Sequence, residues 1–152
     1  MFHCTLPGGK AVALCADRQG EQIGGLEYRY GRPATVGLSY PATAANGRRF
    51  SASVAPLTPR ASVRQVWFSR GGYTYLLSQC VGGDCPAAAG LAVLQGDRLL
   101  SSLHCQRSVD DRAWFAPGLA QFGGDAASSR SSTPLLVFDD VDNGIERLYP
   151  PR

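Results

Sequence analysis

The chain has 152 residues, a net charge of +3, 44% hydrophobic residues, 18 glycines and 10 prolines. That length suits one domain, spanning 1–152, able to bury about two thirds of the surface its unfolded chain would expose, and the apolar share excludes a disordered polymer. Nucleic acid is excluded as a partner because the positive charge is small and dispersed: of 15 basic residues only Lys10 is a lysine, and only Arg48 and Arg49 are adjacent.

Taken in order, apolar residues recur with period two and turn residues interrupt them every eight to twelve positions, the pattern of an all-β protein. "FHCTL" and "AVALC" make a first pair of strands. "LEYRY" and "ATVGLSY" follow, separated by Gly31-Arg32-Pro33; then come "RFSASV", "VRQVWFS" and "YTYLLSQC". "GLAVLQ" and "RLLSSLHC" flank Gly96-Asp97, a tight hairpin signal, and "PLLVFDD" and "GIERLY" flank Asp142-Asn143-Gly144. One segment breaks the rhythm: Ser108 as N-cap with acids behind it predicts a short helix near 108–116, ended by Pro117. The expectation is an antiparallel barrel or sandwich of about ten strands with that single helix. No apolar run is long enough for a transmembrane segment. The opening "MFHCTLPGGK" has neither a basic start nor an apolar stretch, so an export signal is expected to have been removed from the chain.

Five cysteines set the compartment. If the first hairpin turns at Gly9-Lys10, Cys4 faces Cys15; if residues 80–85 turn at Gly82-Gly83, Cys80 faces Cys85. Opposed strand residues lie about 4.5–5.5 Å apart, within the reach of a disulfide. Two staples, Cys4–Cys15 and Cys80–Cys85, are therefore expected, with Cys105 left over or exchanging with one of them. They imply an oxidising, periplasmic or secreted setting. Redox chemistry would need C-x-x-C beside a βαβ unit, and a zinc site would need closer cysteine or histidine pairs. Neither is present, so no metal or cofactor is expected.

Catalytic motifs are also missing. His104 and Cys105 are strand neighbours and point to opposite faces, so they make no dyad. The acids Asp139, Asp140, Asp142 and Glu146 fail as a calcium loop, because Val141 and Pro150 fall where oxygen ligands belong. No catalytic residues are assigned, although Glu27, Asp110 and Asp111 could serve a hydrolase if the fold brought them together. Tyr28, Tyr30, Tyr73 and Tyr75 could likewise form a glycan-stacking surface in a ligand-binding envelope module, against a half-buried sheet as the plainer account.

Residues 2–79 resemble the small bacterial inhibitors of C-type lysozyme. The likeness lies in Cys4 in the opening strand, the strand "ATVGLSY", and "NGRRFSAS", which is similar to that family's Ser-Gly-x-x-Tyr loop with Asn46 in place of Ser and Phe50 in place of Tyr. "VWFSRGGYTYLL" resembles the family's Trp-containing strand and the turn after it. The resemblance implies a periplasmic or lipid-anchored barrel whose loop reaches into a lysozyme active site. Residue chemistry points the same way: Arg and aromatic side chains dominate interface hot spots. The expected function is an extracytoplasmic inhibitor or immunity protein against a cell-wall hydrolase or secreted toxin. Its expected contact residues are Asn46, Gly47, Arg48, Arg49 and Phe50, and its partner a protein.

Overall fold

Strand follows strand along the chain in the computed structural model, which describes residues 2–19, 22–109, 135–139, 143 and 148–149. Among the described residues eleven strands form: β1 (Phe2–Leu6), β2 (Lys10–Gln19), β3 (Gln22–Arg32), β4 (Thr35–Thr43), β5 (Phe50–Thr58), β6 (Ala61–Arg70), β7 (Tyr73–Gly82), β8 (Ala89–Gln95), β9 (Arg98–His104), β10 (Arg107–Val109) and β11 (Leu136–Phe138). They build two open sheets, β10-β1-β2-β3-β4 and β11-β5-β6-β7-β8-β9, antiparallel except that β11 runs parallel to β5, where the Phe50 N–H donates to Leu135 O and the Asp139 N–H to Ala52 O; the all-β reading holds and neither sheet closes into a barrel. The chain gathers into two compact units, Met1–Phe50 with Gln106–Val137, and Ser51–Cys105 with Phe138–Arg152.

In the first unit the period-two pattern becomes a buried and an outer face. Phe2, Cys4, Leu6, Val12, Leu14, Leu26, Tyr28 and Ala42 are all buried, and the residues that alternate with them, His3, Thr5, Ala11, Ala13, Cys15 and Glu27, are partly or fully exposed. The first hairpin differs from expectation. Pro7–Gly9 form one 3₁₀ turn, with Gly8 and Gly9 at φ 77° and 71°, and the register becomes Leu6↔Lys10 and Cys4↔Val12. Cys15 then lies opposite Glu27 on β3. The shift in register is odd, and an odd shift moves a strand residue to the other face. The Cys4–Cys15 staple is therefore not formed. Cys15 is a half-buried free thiol, whereas Cys4 and Cys105 are both half-cystines.

The second disulfide stands as expected: Cys80 and Cys85 are bonded, with their Cα atoms 5.6 Å apart. Its frame is not the simple two-strand ladder, because Cys80 pairs with Val63 on β6 and its N–H donates to Ala88 O at 2.9 Å. Arg60 closes this loop with two bonds to Asp84 (Nη2–Oδ1 2.7 Å, Nε–Oδ2 3.2 Å), and Thr58 Oγ1 adds a third at 3.1 Å. Gly82 lets the turn lie against β6: a Cβ there would stand 2.0 Å from Arg60 O.

The core of the second unit gathers on one face of β6, β7 and β8, where Val63, Trp67, Leu76, Cys80, Ala92 and Leu94 pack with Leu148 and Tyr149. The Gly96-Asp97 hairpin falls where its signal put it, and Gly71-Gly72 likewise joins β6 to β7 by a two-residue turn. A buried polar row crosses the same face: Ser53↔Gln65↔Ser78↔Gly90. Ser78 Oγ lies 2.8 Å from the Tyr149 hydroxyl and 3.5 Å from Gly90 O, and Gln65 Oε1 accepts from both the N–H and the Nδ2 of Asn143 (3.4 and 3.3 Å). The polar row thus fixes where the C-terminal residues dock.

The predicted helix fails at its start. Ser108 is a strand residue paired with Cys4, because residues 107–109 extend the first sheet as β10. Positions 110–116 lie outside the described residues, as do Asp110, Asp111, Asp140, Asp142 and Glu146.

Candidate functional site

Residues 44–49 link β4 of the first sheet to β5 of the second, so "AANGRR" is a connection between sheets and not a hairpin. Asn46 holds it rigid. Its Oδ1 accepts from the Thr43 N–H (3.0 Å) and the Arg48 N–H (2.9 Å), and its Nδ2 donates to Pro41 O (3.0 Å). Thr43 Oγ1 accepts in return from the Asn46 N–H at 3.2 Å. This reciprocal pairing is the side-chain-to-backbone bonding that makes Asn a turn residue. Gly47 follows at φ 66°, a left-handed conformation that glycine adopts freely.

Beyond this turn the two arginines are exposed. The Arg48 guanidinium lies over the Tyr40 ring, 5.4 Å from its centroid, and Tyr40 meets Phe50 edge-on at 5.4 Å and 87°. The Tyr40 hydroxyl also donates to Arg49 O at 3.4 Å. A cation on an exposed ring contributes about 0.5–1 kcal/mol, enough to bias the Arg48 side chain toward one pose. Phe50 is placed otherwise than expected. It is 1% exposed, its N–H donates to Leu135 O at 2.8 Å, and it anchors the loop from below instead of offering a contact.

Of the five sequence-derived contact residues, the structure therefore brings Asn46, Gly47, Arg48 and Arg49 together as one shaped loop and sends Phe50 to the core. Tyr40 was missed. Its signal was available: a tyrosine at the end of a strand, just before a turn that leads to two arginines.

Of the hydrolase candidates Glu27, Asp110 and Asp111, only Glu27 lies among the described residues. His104 stacks on Tyr149 at 6.1 Å and its Nε2 lies 3.3 Å from Leu148 O, with no bond to Ser78. Burial pushes the Tyr149 hydroxyl above its ordinary range, against a smaller opposing effect of its bond to Ser78. Glu27 is held by Arg29 (Nη2–Oε2 2.5 Å) and by the Ser39 hydroxyl at 2.6 Å; the Arg29 bond chiefly keeps its carboxyl below the usual value, with burial opposing. Among the described residues no three His, Cys, Asp or Glu side chains stand together as a metal site. Of the tyrosines, Tyr28 is buried, Lys10 covers the Tyr30 ring, and Tyr75 stacks on Phe68 at 5.0 Å. No family model, curated protein or solved structure matches the chain.

Proposed function

We propose that this chain is an extracytoplasmic binding protein that inhibits, or gives immunity against, a cell-wall hydrolase or secreted toxin, and that it engages its target through residues 46–49. The observation that carries this reading is the loop itself: two exposed arginines, neither paired with a carboxylate among the described residues, on a turn pinned by four hydrogen bonds of Asn46. A loop fixed before binding loses little entropy on association. Guanidinium groups recognise carboxylates bidentately, and the clefts of wall hydrolases are acidic. Two disulfides suit an oxidising compartment, and no helix among the described residues is long and apolar enough to cross a membrane.

The test is titration calorimetry against purified C-type lysozymes and wall-hydrolase extracts, with Arg48→Ala and Arg49→Ala as variants. Each should weaken binding by about 1–3 kcal/mol; Arg49→Ala should leave the melting temperature unchanged, and Arg48→Ala, which gives up its contact with Tyr40, should lower it by no more than about 4 °C. Normal binding by both variants would place the contact elsewhere.

A further inference from the structure

The outer face of the first sheet carries a cleft of about 160 Å³ that the loop reading does not use. Its floor is small: Ala11 and Ala13 on β2, and Gly31 on β3. Its walls are long: the register His3↔Ala13↔Arg29 sets an imidazole on one side and a guanidinium on the other. Short side chains on a central strand between long ones on its neighbours leave a trough, because all of them project from the same face.

Arg32 completes it. Arg29 and Arg32 are three residues apart, an odd spacing that sends strand side chains to opposite faces. Here β4 carries an extra residue, Gly37, unpaired opposite the Tyr30–Gly31 step, Gly31 itself takes φ 156°, and both arginines line the one cleft. A bulge bends its strand and raises the local twist of the pair, which re-aims the side chains beside it. Glycine is required at this step, since a Cβ on Gly31 would stand 2.4 Å from Thr35 O and 2.6 Å from Gly37 N. Arg29 is held from behind by Glu27, which the Ser39 hydroxyl fixes in turn. Arg32 has no carboxylate partner among the described residues.

We propose that this cleft binds a small monocarboxylate. Two guanidinium groups against the single Glu27 carboxylate leave one positive charge, which matches a monoanion; a phosphate dianion would stand half uncompensated. The planar fork of arginine fits a carboxylate with two parallel bonds. The volume is that of a site for a group of about benzene size, and the alanine floor offers that group an apolar seat.

The experiment is an amide-resolved NMR titration of the full chain with sodium benzoate at constant ionic strength, with sodium phosphate and benzamide as comparators. Saturable shifts confined to the amides around Ala11, Ala13, Gly31 and Arg32 are expected with benzoate and absent with benzamide. Arg32→Ala, at an exposed position, should weaken binding at least five-fold, and Ala13→Leu should abolish it by filling the trough without changing charge. Arg49→Ala should leave it unchanged, which separates this site from the protein-binding loop. Non-saturable shifts, an equal response to phosphate, or unaltered binding by Ala13→Leu in a variant with a native spectrum would overturn the proposal.

Discussion

Removing the hydroxyl of Tyr149 should reveal how the C-terminal residues are fastened. Tyr149 is 1% exposed and its hydroxyl lies 2.8 Å from Ser78 Oγ, 71 positions away in sequence. With Tyr149 donating, the Ser78 proton is left for Gly90 O at 3.5 Å. Tyr149→Phe deletes one neutral bond while Ser78 keeps a long one, so it should cost about 1 kcal/mol. Ser78→Ala leaves a buried phenol with its partner gone, which costs about 1–3 kcal/mol. The double variant removes both polar groups at once and should cost about as much as one single change, giving a coupling of roughly 1–2 kcal/mol. For a chain of this size each kcal/mol is about 2–4 °C of melting temperature. Urea unfolding followed by the fluorescence of Trp67, buried in the same core, measures all four corners. Additive losses, with coupling below about 0.3 kcal/mol, would refute the latch. An alkaline arm follows from the raised ionisation of Tyr149. A folded pKa above the unfolded value of about 10 means a contribution intact below that pH and lost as pH rises through the folded value, so the gap between wild type and Tyr149→Phe should narrow above it.

Unreduced protein should take one thiol label per chain, at Cys15, with Cys80 and Cys85 labelled only after reduction; peptide mass mapping decides. Gly82→Ala should cost about 2–4 kcal/mol, since its Cβ would strike the Arg60 backbone, while Gly72→Ala at φ 79° with open space around it should cost about 1 kcal/mol. Equal losses in urea unfolding would remove the close-approach argument. Glu27 is depressed by Arg29, so its contribution is present above about pH 4.5 and lost as pH falls through the folded value. The stability difference between wild type and Glu27→Gln should accordingly vanish in acid.

What could be read from the sequence was the part fixed by neighbours along the chain. Gly96-Asp97 announced its hairpin because two residues with permissive backbones suffice to set a two-residue turn. The first hairpin carries the same kind of signal, "LPGGK", but Pro7 takes the chain into a 3₁₀ turn that moves the register by three. From that one offset follows the free thiol at Cys15. Ser108 shows the other failure. Its cap signal is local, whereas the pairing of β10 with β1 joins residues about a hundred positions apart, and sheet hydrogen bonds at Thr5 and Cys4 outweigh a weak helical preference.

The two proposed sites divide in the same way. Asn46-Gly47 is legible because an amide that bonds its own backbone needs only nearby partners, here Thr43, Pro41 and Arg48. The carboxylate cleft is not legible, because Arg29 and Arg32 read by period two as residues of opposite faces. They come together only at the irregular step where Gly31 faces the extra residue Gly37 of β4, and Gly31 looks from sequence like ordinary turn punctuation before Pro33. A glycine one or two positions before an expected turn, with arginines on both sides of it at odd spacing, is therefore better read as a candidate bulge that gathers charge on one face.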